Sequence, residues 1–319
     1  MTRALVTGGV GFIGSHVSRA LLLRGEDVNI LDDFSNAPYP TAYKERNLAD
    51  LQREFGKRVT LFRGCVTERA LAEKAIDGCE RVIHLAGLAG VRPSFQRPAD
   101  YARVNVEGTA LIAQLTIASG IRKLAVASSS SVYGNSTPLP AREDAPCIAP
   151  ESPYAASKRG AELLLHAYTK SCPDLRCAAL RFFTVYGARQ RPEMAITLFT
   201  RAMLEGRSIT VFGDGSMRRD FTHVDDITRG VLAASDQCPR GFRAYNLGSG
   251  NPITLGDLVT ALTKATGTAP VIERAPQPLG DVDATFADIS RAESELGWKP
   301  EIHIERGLMT VVDWVRHNA

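Results

Sequence analysis

Arg3-Ala4-Leu5-Val6-Thr7-Gly8-Gly9-Val10-Gly11-Phe12-Ile13-Gly14 opens the chain as a short apolar run that ends in four closely spaced glycines. The run reads as a strand, and a helical pattern follows from Phe12 to Leu23, stopped by Gly25. Val28 to Leu31 then reads as a second strand, closed by Asp32. Strand, glycine-rich turn, helix and strand make a βαβ unit. Glycines at such a turn keep it tight, admit a pyrophosphate to the backbone and let the helix pack close to the strand. The helix N-terminus adds unpaired N–H groups and the positive end of its dipole. Gly9, Gly11 and Gly14 fit G-x-G-x-x-G, while Gly8, Gly11 and Gly14 fit the related G-x-x-G-x-x-G. A bare glycine pattern says little; after a strand, before a helix and with an acid ending the next strand, it points to a dinucleotide.

Asp32 and its neighbour Asp33 choose between dinucleotides. The Asp32 carboxylate would accept both ribose hydroxyls of an adenosine, and the two charges would repel a 2′-phosphate. No Arg or Lys lies between Asp32 and Tyr43. The expected cofactor is NAD.

Outward from this unit the alternation continues. Val59–Arg63, Arg81–Leu85, Lys123–Ala127 and Arg176–Arg181 read as strands, with helical patterns over Glu68–Ile76, Ala99–Ala118 and Ser157–Tyr168 between them. Beyond Gly187 the rhythm breaks into a loop-rich part around Pro192 and Phe212-Gly213-Asp214-Gly215-Ser216. Phe221–Val224 and Ala244–Leu247 read as returns to the sheet, and Leu255–Thr266, Ser290–Leu296 and Ile304–Arg316 as helices. The fold class is α/β: a Rossmann-type doubly wound parallel sheet with a smaller, mixed α/β carboxyl-terminal domain. Residues 1–181, with returns at about 221–250, form the first domain; 182–220 and 251–319 form the second.

Composition bounds the partners. The apolar fraction of 44% over 319 residues suffices for a large core. A net charge of +3 gives no ground for nucleic acid or a membrane surface. No apolar run approaches the roughly 20 residues needed to cross a bilayer, and the amino terminus is not a signal peptide. Cys65, Cys79, Cys147, Cys172, Cys177 and Cys238 are scattered, and no Cys or His cluster suggests a metal. They read as free thiols of a cytoplasmic protein.

Two further stretches carry chemistry. Ser128-Ser129-Ser130-Ser131 follows a strand, where open α/β sheets place their ligands. Tyr154 and Lys158 stand four apart and so share one helix face. A phenol loses its proton near pH 10, and an ammonium beside it would draw that value down toward the working range of a base. His84, at a strand end, reads as a satisfied core histidine.

Taken together, the glycine turn, Leu85-Ala86-Gly87, Asn105, the serine cluster, Tyr154-x-x-x-Lys158 and Arg219-Asp220-Phe221 resemble the extended short-chain dehydrogenase/reductase family over essentially the whole chain. Within it the chain resembles nucleotide-sugar 4-epimerases. Arg181-Phe182-Phe183-Thr184-Val185-Tyr186-Gly187, Arg189-Gln190-Arg191-Pro192 and Gly280-Asp281-Val282 are most similar to UDP-glucuronate 4-epimerases. The resemblance implies Ser129, Tyr154 and Lys158 as catalytic residues, with Lys158 also holding the nicotinamide ribose. For NAD it implies Gly8, Gly11, Phe12, Ile13, Gly14, Asp32, Asp33, Ser35 and Asn36 at the adenosine and pyrophosphate end. Val66, Leu85, Ala86, Gly87, Ala89, Asn105 and Phe183 complete that set. For a UDP-sugar it implies Arg92, Ser129, Ser130, Thr184, Arg191, Arg219 and Asp281, and a homodimer as the assembly. Where the family commonly has an acid for the adenine amino group the chain has Gly64-Cys65, which leaves that contact to the Val66 backbone. Three residues before Asp281, where many hexose epimerases carry an arginine for the diphosphate, stands Pro278.

Family members share a 4-keto sugar and differ in its fate. A 4,6-dehydratase carries an Asp-Glu pair where Ser130 and Ser131 stand, and neither serine can serve as that acid. A uronate decarboxylase has Glu at the position of Ser131. A UDP-glucose-type epimerase usually has Asn at that of Thr184. A catalytically silent NAD-binding scaffold would need none of Ser129, Tyr154 and Lys158. The pattern favours 4-epimerisation of UDP-glucuronate, with Ser129, Ser130, Thr184 and Arg191 gripping the carboxylate so that carbon dioxide is not lost.

Overall fold

The structure, a computed structural model, describes residues 2–35, 39–276 and 283–318. Asn36 and Asp281, both expected at the site, and Pro278, Gly280 and Val282 lie outside the described residues.

Seven parallel strands form the central sheet. They are β1 (Arg3–Thr7), β2 (Asp27–Asp32), β3 (Val59–Arg63), β4 (Arg81–His84), β5 (Lys123–Ser129), β6 (Arg176–Phe182) and β11 (Gly241–Leu247). Their spatial order is β11-β6-β5-β4-β1-β2-β3, so the winding reverses between β1 and β4. The crevice of a doubly wound sheet lies above that reversal, at the carboxyl ends of the strands. These strands are near-continuous apolar runs because helices cover both faces. One face carries α1 (Phe12–Leu23), α2 (Thr41–Phe55), α9 (Val224–Gln237) and α11 (Ser290–Leu296), built around Val6, Val17, Ile30, Ile227 and Trp298. The other carries α3 (Arg69–Ile76), α6 (Gly108–Ala118) and α7 (Pro153–Thr169), built around Leu5, Val82, Ile112 and Leu165.

The helix expected over Ala99–Ala118 is divided. Short α4 (Val91–Gln96) and α5 (Pro98–Tyr101) lead into a π-helical turn, Ala102–Glu107, before α6 begins. Insertions of this kind re-aim side chains and concentrate near functional sites; here Asn105 lies within it.

A smaller lobe is assembled from β7 (Thr184–Tyr186), α8 (Ala195–Leu204), β8 (Ser208–Phe212), β9 (Arg218–Arg219), β10 (Phe221–His223), β12 (Ile253–Thr254), α10 (Leu255–Thr266), β13 (Val271–Ala275) and α12 (Ile304–Asn318). Its core packs Phe199, Met203, Leu258, Leu262, Leu308 and Val311. One expectation needs correction. Phe221–Val224 does not rejoin the main sheet; β10 pairs in parallel with β7, Phe221 opposite Thr184. The edge beside β6 is already filled by β11, in register from Arg176–Gly241 to Phe182–Leu247. Ala244–Leu247 does return, as expected.

Candidate active site

A cleft of about 890 Å³ runs from the carboxyl ends of β1, β2 and β4 to the smaller lobe. At one end, Gly8 turns with φ +68°, and a Cβ there would lie 2.8 Å from the Ala86 backbone nitrogen. A Cβ on Gly14 would collide with the Gly8 carbonyl oxygen. The turn is thus built on the Gly8-x-x-Gly11-x-x-Gly14 spacing, and no side chain caps the start of α1. Its free N–H groups face the cleft where a pyrophosphate fits.

Asp32 ends β2. Its Oδ1 accepts from the Phe34 N–H at 3.0 Å and from Lys44 Nζ at 3.0 Å. Its Oδ2 is buried and has no hydrogen-bond partner among the described residues. One oxygen of the carboxylate is thus engaged, and the two lone pairs of the other are open to the ribose hydroxyls. Lys44 stands one residue beyond Tyr43, and α2 turns it back onto Asp32 and to within 3.8 Å of Asp33. Asp33 is exposed and accepts from the Ser35 N–H at 2.8 Å. Orphaned Oδ2, glycine cradle and open helix start together fit NAD.

At the floor, Ser152 caps α7 by accepting from the Ala155 N–H, Pro153 follows, and Tyr154 projects half-buried into the cleft. Tyr101 packs edge-on against it, ring centres 6.1 Å apart. Burial pushes the Tyr154 phenol above its ordinary value, offset in part by a hydrogen bond with Ser129 and by the charge of Arg191. That corrects the sequence argument, because the offsetting groups are Ser129 and Arg191 rather than Lys158. Lys158 is buried, donates to the Ala127 carbonyl at 2.8 Å, and is pushed down to about 8 by burial, with the Glu162 charge acting upward. Ser129 Oγ also donates to Ser131 Oγ at 3.1 Å and accepts from the Ser131 N–H at 3.2 Å.

Arg191 turns inward. Gln190 anchors its loop by donating to the Val185 carbonyl and accepting from Thr197. Arg189, at φ +65°, is clasped by Asn47 and Asp50 of α2, and Tyr39 donates to its carbonyl. Arg191 itself pairs with Glu193 at 3.2 Å and donates to the Met194 sulfur. Thr184 and Ser130 line the same wall, half-buried. Arg219 donates to the Arg218 and Asp283 carbonyls, and exposed Arg92 lies 5.2 Å from the centre of the Phe212 ring. Asp220 is engaged elsewhere, accepting from the Ser249, Gly250 and Ala287 N–H groups.

Every described residue expected at the site lines the cleft except Asn105. Buried Asn105 spends its amide on the Leu88 N–H and carbonyl and on Ser157. The expected cofactor contact is corrected to a brace that sets the strand-end segment and α7. His84 is a core histidine between Thr7 and Thr109, neutralised by burial and by Lys158. Sequence reasoning missed Lys44, Glu193 and the apolar wall of Phe212, Met217 and Leu255. For Lys44 the available signal was the apolar spacing of Leu48 and Leu51, which turns a helix face toward Asp32. Among the described residues no group of His, Cys, Asp or Glu could hold a metal. The six cysteines are unpaired, and no described helix is long and apolar enough to cross a membrane.

A Rossmann crevice with Ser129, Tyr154 and Lys158 on its floor defines an extended short-chain dehydrogenase/reductase. The chain belongs to the NAD dependent epimerase/dehydratase family, whose sequence model matches residues 4–248. It is 38% identical over 317 residues to the UDP-glucuronate 4-epimerase of Thermodesulfobacterium geofontis, covering 98% of this chain and 96% of that protein. The UDP-glucuronic acid 4-epimerase of Bacillus cereus, solved with UDP-glucuronic acid and NAD, superposes with a TM-score of 0.91 at 33% identity, over 100% of both chains. The UDP-glucose 4-epimerase of Bifidobacterium longum, solved with NAD and UDP, gives 0.89 at 31% identity over 99% of each.

Proposed function

We propose that the protein is an NAD-dependent UDP-glucuronate 4-epimerase, an isomerase that interconverts UDP-glucuronate and UDP-galacturonate. The observation that carries the substrate choice is the wall formed by Ser129, Ser130, Thr184 and Arg191 beside Tyr154: three short hydroxyls and one guanidinium, suited to a carboxylate. Likeness to uronate epimerases in sequence and in structure supports the same choice.

NAD, when bound, supplies the reversible hydride acceptor that lets the unactivated C4 centre of the sugar become a ketone. Asp32 Oδ2 would hold its adenosine ribose, the glycine turn its pyrophosphate, and Lys158 its nicotinamide ribose. Tyr154 takes the proton of the 4-hydroxyl and later returns it to the same oxygen. Ser129 donates to that oxygen, and the charge of Arg191 favours the phenolate. The 4-ketone of a uronate is a β-keto acid. It loses carbon dioxide when the carboxylate bond aligns with the carbonyl π system, so Ser130, Thr184 and Arg191 act by holding the carboxylate out of that alignment. Segments 182–220 and 251–319, apart from α11 and Trp298, which pack on the central sheet, are assigned to the nucleotide sugar, with Phe212, Met217 and Leu255 as the apolar surface for the base. A cytoplasmic homodimer belongs to this reading, the compartment supported by six unpaired cysteines and the assembly by the family resemblance.

The test is incubation of the protein with UDP-glucuronate and, separately, UDP-glucose, followed by NMR. Conversion of the uronate to its C4 epimer is expected. Turnover of the neutral sugar alone, or release of carbon dioxide with a pentose product, would overturn the assignment.

A further inference from the structure

We infer that Glu162, clamped by Arg181, is a positioning residue for the reaction: it ties the end of β5 to the reactive face of α7 and sets a buried negative charge below Lys158. The inference rests on Lys158 acting as proposed above.

Tyr154, Lys158 and Glu162 stand at successive four-residue steps of α7 and so form one stripe. Three consecutive residues of β5 meet that stripe one by one. Ser129 lies beside Tyr154 and favours its phenolate, the Ala127 carbonyl accepts from Lys158, and Ser128 Oγ donates to Glu162 at 2.6 Å. A slip of the strand against the helix would break all three at once.

The lowest rung is the firmest. Arg181, fully buried on β6, grips Glu162 with both arms of its fork, Nε to Oε1 at 2.9 Å and Nη2 to Oε2 at 2.8 Å. Arg159 adds a third donor at 3.0 Å. Behind Arg181, Tyr133 and the Glu143 carbonyl accept from Nη1, and Tyr133 donates onward to Asn246 at 2.6 Å. An ion pair with this little solvent is weak evidence of stability, because desolvation offsets attraction. A function for its charge is the better account.

The charges around the lysine favour that account. From α7, Glu162 and Tyr154 face Lys158; from β4, the neighbour is His84, buried and neutral between two threonines. Glu162 in turn is faced by Arg159 on α7, Arg181 on β6 and Cys147 ahead of α7, with Tyr133 and Glu143 behind the arginine. Burial alone would raise the Glu162 carboxyl, yet the bonds from Arg181, Ser128 and Arg159 hold it below the usual range, so it stays charged. At Lys158 that charge opposes the effect of burial.

The experiment uses Glu162→Gln/Arg181→Met, which removes both charges while keeping their volume, a replacement that buried pairs often tolerate. Glu162→Gln alone gives a second reading. Lys158 is followed by NMR titration of lysine labelled at Cε in protein without substrate, assigned with Lys158→Arg. In a folded variant the Lys158 midpoint is expected to fall by about half a pH unit or more. The alkaline limb of turnover should move with it, and kcat should drop while KM changes less than about twofold. A folded variant with the wild-type midpoint would overturn the inference, and so would loss of fold in both variants, which would leave the pair a purely structural one. The midpoint is read without any sugar, so failure of wild-type protein to turn over UDP-glucuronate would sink the proposed function and leave this comparison standing.

Discussion

Lys44 Nζ and Asp32 Oδ1 are joined at 3.0 Å in a buried pair at the end of β2, which leaves Asp32 Oδ2 as the one open oxygen of the carboxylate. Attraction to a ribose hydroxyl therefore comes from an aspartate already fixed in direction. Lys44→Met would leave Asp32 with a buried, uncompensated charge. NAD affinity, measured by calorimetric titration, should fall by about tenfold. Unchanged affinity would mean that the Phe34 N–H alone orients the carboxylate.

Tyr154 is the group placed to move the C4 proton. Tyr154→Phe keeps the ring against Tyr101 and removes only the hydroxyl, so the protein should retain NAD. Turnover should fall by about a thousandfold. Near-normal turnover in that variant would remove the tyrosine from the chemistry.

Arg191 acts twice, on the carboxylate and on the phenol. Arg191→Ala should raise KM for UDP-glucuronate by about tenfold and leave UDP-glucose nearly unchanged, if that sugar is turned over at all. The charge of Arg191 lowers the Tyr154 phenol, so its loss must raise that group further. The tyrosine works deprotonated, and the acid limb of the pH–rate profile should accordingly shift to higher pH. An acid limb that stays in place, or moves the other way, would refute the electrostatic part.

Thr184 supplies one hydroxyl of the wall beside the sugar. Thr184→Ala should loosen the carboxylate and let part of the 4-keto sugar decarboxylate, giving a pentose product next to the epimer in the NMR spectrum. Clean epimerisation at wild-type rate would show that Ser130 and Arg191 suffice.

Local patterns carried much of this architecture. Gly8, Gly11, Gly14 and Asp32 announce the cofactor because a tight turn, a helix start and a strand end each impose their own residue types. Tyr154 and Lys158 announce a shared face because helical spacing is fixed. What the chain order hides is where long-range partners fall. The spacing of Leu48 and Leu51 marks the buried face of α2 that Lys44 shares, but its partner Asp32 is named only when α2 folds back over the turn. Glu162 and Arg181 resemble ordinary surface charges, yet they meet inside the protein from α7 and β6. Asn105 looks like a ligand-facing amide, but the π-helical turn aims it at Leu88 and Ser157. The strand Phe221–His223 was readable; its partner was not, since the competition between β10 and β11 for the edge of β6 is decided by packing.

The clasp of Arg189 on Asn47 and Asp50 hangs the loop of Arg191 from the same helix that carries Lys44 to Asp32. Helix α2 is therefore a single beam carrying two loads on neighbouring turns, the adenosine ribose and the sugar carboxylate. A substitution that tilts it, even one touching neither ligand, should loosen both together. Wherever along that beam evolution or an engineer trims the helix, cofactor retention and uronate selectivity should drift as one trait.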